Sequence, residues 1–349
     1  MTTAFVTHSR YVEHDQKGHP EHAGRIRAVW RRLEETGLLA RMKAQEATAA
    51  SLDLVRLVHT PAYLELLKST AGSDRLTRLD ADTYVGPESY EVALLSAGGV
   101  VDAVAAVLDG KANNALAAVR PPGHHAMPDR AMGFCLINNV AVAARYAQQA
   151  YGLRRVLIVD YDVHHGNGTE AMFYDDPSVY FASIHQWPLY PGTGALPDIG
   201  RGAGRGANLN IPVSPGNGDA NYAALFEQVL WPAALRFQPE LILVSVGHDA
   251  HWSDPLAGMR LTLRGYAHLA HEMLLMAQQL CGGRIVFVME GGYDLEALAN
   301  GMANIAHVLL GDTDFDDPMG RAPGVQAEPD IAPLIEQLQR LHGLSAPVG

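Results

Sequence analysis

Cysteine is scarce: Cys135 and Cys281 are the only two among 349 residues, and neither sits in a Cys-x-x-Cys pattern. That excludes a disulfide framework and an all-thiolate zinc cage, and it suits a reducing compartment such as the cytoplasm. Basic residues are also in deficit, 26 Lys and Arg against 38 Asp and Glu, giving a formal charge of −12. This balance argues against a direct grip on nucleic acid and leans toward cationic ligands. The N-terminal MTTAFVTHSRYVEHD has no basic segment followed by a long apolar one, so no secretory signal is expected. No apolar run looks comfortable across a membrane. The most apolar stretch, 92–108, is interrupted by Asp102 and reads as a buried helix.

What is present suits a globular protein: 48% hydrophobic residues, 18% charged, and 34 glycines to supply tight turns. Six short apolar runs end in polar, glycine-rich turns, at 4–8, 115–120, 155–162, 179–185, 240–247 and 284–292. They read as strands buried on both faces. Helical patterns at 21–36, 220–237, 264–280 and 295–310 alternate with them, and a last short helix is expected near 331–342. The alternation predicts an α/β fold, a parallel sheet with helices on both faces and ligands at the carboxyl ends of the strands. With no repeat and no long linker, a single domain over 1–349 is expected, with a catalytic core of about 4–310 and a C-terminal extension, 311–349. Its acidic, Pro- and Gly-rich part, 311–330, is expected to be a loose connection.

The segment LIVDYDVHHGNG, 157–168, drives ionisable groups into a strand end. If the strand persists through 164, Asp160, Asp162 and His164 all point to one side. Burying carboxylates unpaired is expensive, and a divalent cation is the usual remedy. Carboxylate and imidazole together suit zinc, whose catalytic sites take three protein ligands. Asp249, just after another buried strand, is the first candidate for the third, with His248 and His251 as competitors. On the loop RPPGHHA, 120–126, His124 and His125 stand side by side as candidate proton carriers. Asp160 and Asn167 could orient them. In EGGYD, 290–294, paired glycines let the chain turn so that Tyr293 can reach inward as an oxyanion donor.

The motifs HPEHAGRI, RPPGHHA, MGFCLINNVAVAA, VDYDVHHGNGTEAMFY, SIHQWPLYPGTG, GHDAHWSDPLAG and MEGGYD, in this order, resemble the zinc-dependent histone deacetylase superfamily, which includes acetylpolyamine amidohydrolases and bacterial deacetylase-like amidohydrolases. The resemblance runs from about His8 to about Leu310. It implies the arginase-like fold with an eight-stranded parallel sheet. It also implies one catalytic zinc ion on Asp162, His164 and Asp249; a catalytic pair, His124 backed by Asp160 and His125 backed by Asn167; and Tyr293 polarising the substrate carbonyl. In the implied hydrolysis His125 is the base that activates water and then the acid that protonates the leaving amine, while His124 gives electrostatic support.

Further assignments rest on the same resemblance. Gly133, Phe134 and Tyr190 match the walls of an acyl-lysine tunnel. Asp160, Asp162, His164, Ser183 and Ile184 match one potassium site, and Phe173, Asp176 and Val179 match part of another. Asn167 stands where some branches carry Asp, which places the chain with class II-like and bacterial members. Leu256 stands where a polyamine-selective branch has an acidic gatekeeper. The implied function is removal of acetyl groups from acetyl-lysine in proteins or peptides. Deacetylation of acetylpolyamines or other small acetylated amines is the alternative, and an inactive acyl-lysine-binding protein a third. Entrance loops containing Asp80, Asp82 and 186–206 would set selectivity, no membrane partner is expected, and a homo-oligomer is compatible with the sequence.

Overall fold

Eight parallel strands make the central sheet of the computed structural model, which describes residues 2–73, 75–324 and 327–344. Ten strands are numbered in chain order: β1 Thr3–Thr7, β2 Lys43–Glu46, β3 Thr77–Arg78, β4 Tyr84–Val85, β5 Asn114–Ala117, β6 Val156–Asp160, β7 Val179–Gln186, β8 Asn208–Val213, β9 Leu241–Val246 and β10 Ile285–Met289. The sheet order is β2-β1-β5-β10-β9-β6-β7-β8, and β3 and β4 pair separately as a short antiparallel hairpin. Every residue of β5, β6, β9 and β10 is buried. Their continuous apolar runs are what a strand covered by helices on both faces requires.

All six strands expected from sequence are present. Two strands of the eight-stranded sheet were not legible, β2, whose KAQE is mostly exposed at one edge, and β8, whose NLNIPV at the other edge is half polar, nor was the β3–β4 hairpin. The helical expectations map onto Gly24–Glu35, Leu263–Cys281, Leu295–Leu310 and Ala332–His342, while 220–237 is a helical run with a π turn at Phe226–Leu230. The helix Ser89–Leu108 is long and apolar enough to cross a membrane, contrary to the expectation from its sequence. It lies instead against β1 and β5 with two-thirds of that apolar window buried, the pattern of a core helix.

The segment after 310 is tied down rather than loose. Arg41 pairs with Asp312, Asp316 exchanges hydrogen bonds with Asn304, and Trp252 donates to Gly320 O. Glu328 accepts from the N–H groups of Gly218, Ala220 and Asn221 at the start of the helix Asp219–Leu225. Residues 325–326 and 345–349 of the expected extension lie outside the described residues.

Because the strands are parallel, the loops leaving β5, β10, β9 and β6 emerge at one rim in the middle of the sheet. Those loops carry RPPGHH, EGGYD, GHDA and YDVHHGN.

Candidate active site and metal centre

β6 ends at Asp160, short of the continuation to 164 that the alternation suggests. The Asp162 N–H turns back to donate to Asp160 Oδ1 at 3.1 Å, and the His164 N–H donates to Asp162 Oδ1 at 2.9 Å, so the chain leaves the sheet in turns. Asp160, the last residue of the strand, reaches the histidine pair, and the turns that follow it bring Asp162 and His164 onto Asp249.

Asp162, His164 and Asp249 are buried, and each offers a ligand atom within 4.8 Å of the others. His164 Nδ1 lies 3.1 Å from Asp162 Oδ1 and 3.2 Å from Asp249 Oδ2. Asp249 Oδ1 accepts from the Val163 N–H at 3.0 Å, and Asp162 Oδ2 from the Gly291 N–H at 2.8 Å, while the buried Asp249 Oδ2 accepts no hydrogen bond. Two glycines make room for this cluster. A Cβ on Gly247 would lie 2.1 Å from Asp162 Oδ2, and one on Gly291 would lie 2.1 Å from Asp249 Oδ2. Burial opposes a proton on His164, yet Asp162 and Asp249 outweigh it and lift its pKa to about 10. Two buried carboxylates favour positive charge between them, and the same three residues could hold a divalent ion in place of the His164 proton. The competitors for the third ligand do not converge here: His251 Nδ1 is 2.8 Å from Ser253 Oγ, and His248 packs on the Tyr266 ring.

The adjacent histidines are held differently. His124 Nδ1 is 3.0 Å from Asp160 Oδ2; burial works against its charge, but Asp162 and Asp160 prevail and raise its pKa to about 10. His125 Nδ1 is 2.7 Å from Asn167 Oδ1, and burial, followed by the neighbouring His124, pushes its pKa well below the ordinary imidazole value. The pair therefore divides into one cationic and one neutral ring, 3.9 Å apart. A second group that could hold a metal, His124, Cys135 and Glu290, is otherwise engaged. The Cys135 thiol donates to Gly133 O, burial keeps it protonated, and Glu290 Oε2 accepts from the Gly123 and His124 N–H groups at 2.7 and 3.3 Å.

Tyr293 follows β10 on the loop whose Asp294 caps the helix Leu295–Leu310. Its N–H donates to Asp254 Oδ2 at 2.7 Å, and burial keeps its phenol protonated. Arg25 donates to Gly292 O at 2.7 Å and to Glu290 O, and its guanidinium lies 5.0 Å from the Tyr293 ring centre. Arg25 is one of several residues that strand and motif reading passed over. It belongs to a fully buried ion cluster in which Glu21 receives Arg120 Nε at 2.5 Å and Nη2 at 2.6 Å, with Arg25 Nη1 at 3.2 Å. The one sequence signal for it is that Glu21 and Arg25 stand in HPEHAGRI and Arg120 in RPPGHHA.

Above the cluster, Gly133 has φ +56° and Phe134 φ +68°. Only glycine fits the first position, because a Cβ there would meet His125 Cδ2 at 2.3 Å. The Phe134 ring meets Tyr293 edge-on at 5.7 Å, and the Tyr190 ring meets His125 edge-on at 5.2 Å and His164 at 6.3 Å. Tyr190 is 37% exposed, so the rings of Phe134 and Tyr190 line an approach from solvent to the histidines. Leu256 is half-buried, its N–H on Asp254 Oδ1 at 3.0 Å. Of the expected potassium residues, Asp160 and Ser183 are register partners on β6 and β7, with Ile184 next along. Phe173, Asp176 and Val179 lie close in sequence between a helix end and β7, but the Asp176 carboxylate is already taken by Arg145 at 2.7 Å and Ser178 Oγ at 2.6 Å.

The histone deacetylase domain pattern matches residues 19–309. The chain belongs to the histone deacetylase family. It is 42% identical to Histone deacetylase 10, chloroplastic, of Oryza sativa subsp. japonica over 353 aligned positions, covering 95% of this chain and 79% of that protein. It is 41% identical to the mouse (Mus musculus) Polyamine deacetylase HDAC10 over 329 positions, 89% of this chain and 49% of that protein. Among solved structures, the HDA15 HD domain superposes with a TM-score of 0.88 at 34% identity, covering 98% of this chain and 95% of that one. As a deacetylase of this family the chain is a hydrolase, with its candidate machinery at the rim just described.

Proposed function

We propose that this deacetylase holds one zinc ion on Asp162, His164 and Asp249 and removes acetyl groups from acetyl-lysine side chains of proteins or peptides. One observation carries the reading: a buried three-ligand cluster, a neutral and a cationic histidine, and a phenol donor share one rim beneath Gly133, Phe134 and Tyr190. Zinc held by those ligands would supply a Lewis acid, able to polarise an amide carbonyl and make water a better nucleophile.

The chain's own residues then have separate tasks. His125, with Nδ1 committed to Asn167, presents Nε2 to take the proton of the attacking water and later gives it to the departing amine. His124, kept cationic by Asp160, adds positive charge beside the developing oxyanion. Tyr293, held by Asp254, donates its phenolic hydrogen to the same oxygen. The aromatic faces of Phe134 and Tyr190 suit a methylene chain. Asp160, Asp162, His164, Ser183 and Ile184 would hold one potassium ion, and backbone oxygens at Phe173, Asp176 and Val179 a second.

A second reading, deacetylation of acetylpolyamines, draws support from the similarity to a protein named polyamine deacetylase and from the −12 charge. The apolar Leu256 at the rim favours the lysine reading, since a polycation gains nothing there. Parallel kcat/KM measurements on acetyl-lysine peptides, acetylpolyamines and longer acyl-lysines test both. The highest value is expected on acetyl-lysine peptides; a preference for acetylpolyamines would replace the first reading by the second, and no turnover of any would leave an acyl-lysine-binding protein.

A further inference from the structure

The amide of Asn167 faces His125 on one side and two sulfur atoms on the other. Its Oδ1 lies 2.7 Å from His125 Nδ1, while its Nδ2 lies 3.1 Å from Met127 Sδ and 3.2 Å from Met132 Sδ. A thioether sulfur accepts weakly and cannot donate. An amide turned over would put its carbonyl oxygen against two sulfurs with no hydrogen to offer, and would aim an N–H at His125 Nδ1. The ring would then carry its own hydrogen on Nε2, where no lone pair remains to take a proton. With the amide as found, Nδ1–H donates to Oδ1 and the Nε2 lone pair is free.

The backbones of both methionines are fixed independently of Asn167. The Met127 N–H donates to Arg130 O at 2.9 Å, Met127 O lies 3.0 Å from His59 Nδ1, and Met132 exchanges backbone hydrogen bonds with Cys135. We propose that Met127 and Met132 are positioning residues that set the tautomer of the catalytic base, acting through the orientation of the Asn167 amide. The inference rests on the deacetylase reading for its consequence in turnover, but not for the tautomer itself. It also explains what an asparagine requires at this position. A carboxylate has two equivalent oxygens and no wrong face, whereas an amide needs flanking groups that only accept.

The test reads the ring directly. In 15N-labelled, zinc-loaded protein, the His125 signals, assigned by their loss in His125→Ala, are expected to show a proton on Nδ1 and none on Nε2. Met127 is half-buried, so a polar head at its end can reach solvent. Met127→Lys replaces an acceptor by a donor, so the amide turns, the ring proton moves to Nε2, and kcat/KM falls by about tenfold or more, within what general-base catalysis contributes. Met127→Glu keeps an acceptor and is expected to retain the Nδ1–H tautomer. In an Asn167→Asp background, Met127→Lys is expected to cause no further tautomer change and no further tenfold loss, the non-additivity that marks a coupled pair.

The proposal is overturned if wild-type His125 carries its proton on Nε2 or on both nitrogens, if Met127→Lys leaves the tautomer unchanged, or if it lowers turnover equally in both backgrounds, as a purely structural role would. Wild-type protein without deacetylase turnover would sink the deacetylase reading and leave the tautomer result standing.

Discussion

Replacing Gly133 by alanine probes the base without touching the metal ligands. All three atoms nearest the added methyl belong to His125: Cδ2 at 2.3 Å, Cγ at 2.7 Å and Cβ at 3.0 Å. Ordinary contact begins at 3.4 Å, so the ring must retreat by about 1.1 Å from a 2.7 Å hydrogen bond to Asn167 that defines its position. A misplacement near 1 Å in a catalytic group costs about 100-fold in rate. The backbone adds a separate penalty, since φ is +56° and a left-handed alanine costs roughly 1–2 kcal/mol of stability. Gly133→Ala is therefore expected to unfold at slightly lower denaturant, keep its metal content, and lose about two orders of magnitude in kcat/KM on a fluorogenic acetyl-lysine peptide. Undiminished kcat/KM would show that His125 does not serve as the base from this position, and loss of metal would show that the variant perturbs more than the ring.

Four other outcomes follow from the same geometry. Gly291→Ala places a methyl 2.1 Å from Asp249 Oδ2 and 2.4 Å from Asp162 Oδ2, at a residue outside the left-handed region. Its metal affinity, measured by competition with a chelator, should fall by about 10–100-fold, and wild-type affinity would refute the cradle. Tyr293→Phe should lower kcat by about 10²–10³, as loss of one oxyanion donor does; unchanged turnover removes Tyr293 from the mechanism. Glu21→Gln strands two buried arginines, and equilibrium unfolding should show a loss of about 3–5 kcal/mol. His59 accepts the Asn138 N–H at Nε2, 3.0 Å away, and burial lowers its pKa to about 4. The depressed folded value means its contribution is whole above the unfolded pKa of about 6.5 and is lost as pH falls toward 4, by up to about 1.4 kcal/mol per pH unit. His59→Gln should flatten that stretch of the stability–pH curve, and an unaltered slope would place the lost protons elsewhere.

The sequence carries the centre of this fold better than its margins. β6, β9 and β10 are legible because strands covered on both faces must be continuously apolar, and the polar residues that end them stand out by contrast. β2 and β8 were not legible because an edge strand can tolerate KAQE, and because Asn208 and Asn210 of β8 turn their amides to Glu170 and Asp198 O instead of filling an apolar core. Asp162 and His164 were singled out on an expectation of strand alternation, yet they converge through turns that side-chain periodicity cannot encode. Asp249 stood first among three candidates on pattern alone, and only the three-dimensional arrangement separates it from His248 and His251. The Glu21, Arg25 and Arg120 cluster escaped because each ion is separated in sequence from at least one partner, Glu21 from Arg120 by 99 positions. The Asn167 contacts with Met127 and Met132 escaped for a related reason, since methionines near a glycine-rich loop read as core filling.

The claim on which the rest depends is that one divalent ion is held by Asp162, His164 and Asp249. Metal analysis of zinc-reconstituted protein after exhaustive dialysis, alongside Asp162→Ala and Asp249→Ala, tests it most directly. One tightly held ion per chain is expected in the wild type and none in either variant. Retention of an ion by both variants, two ions per chain, or no ion in the wild type would contradict it.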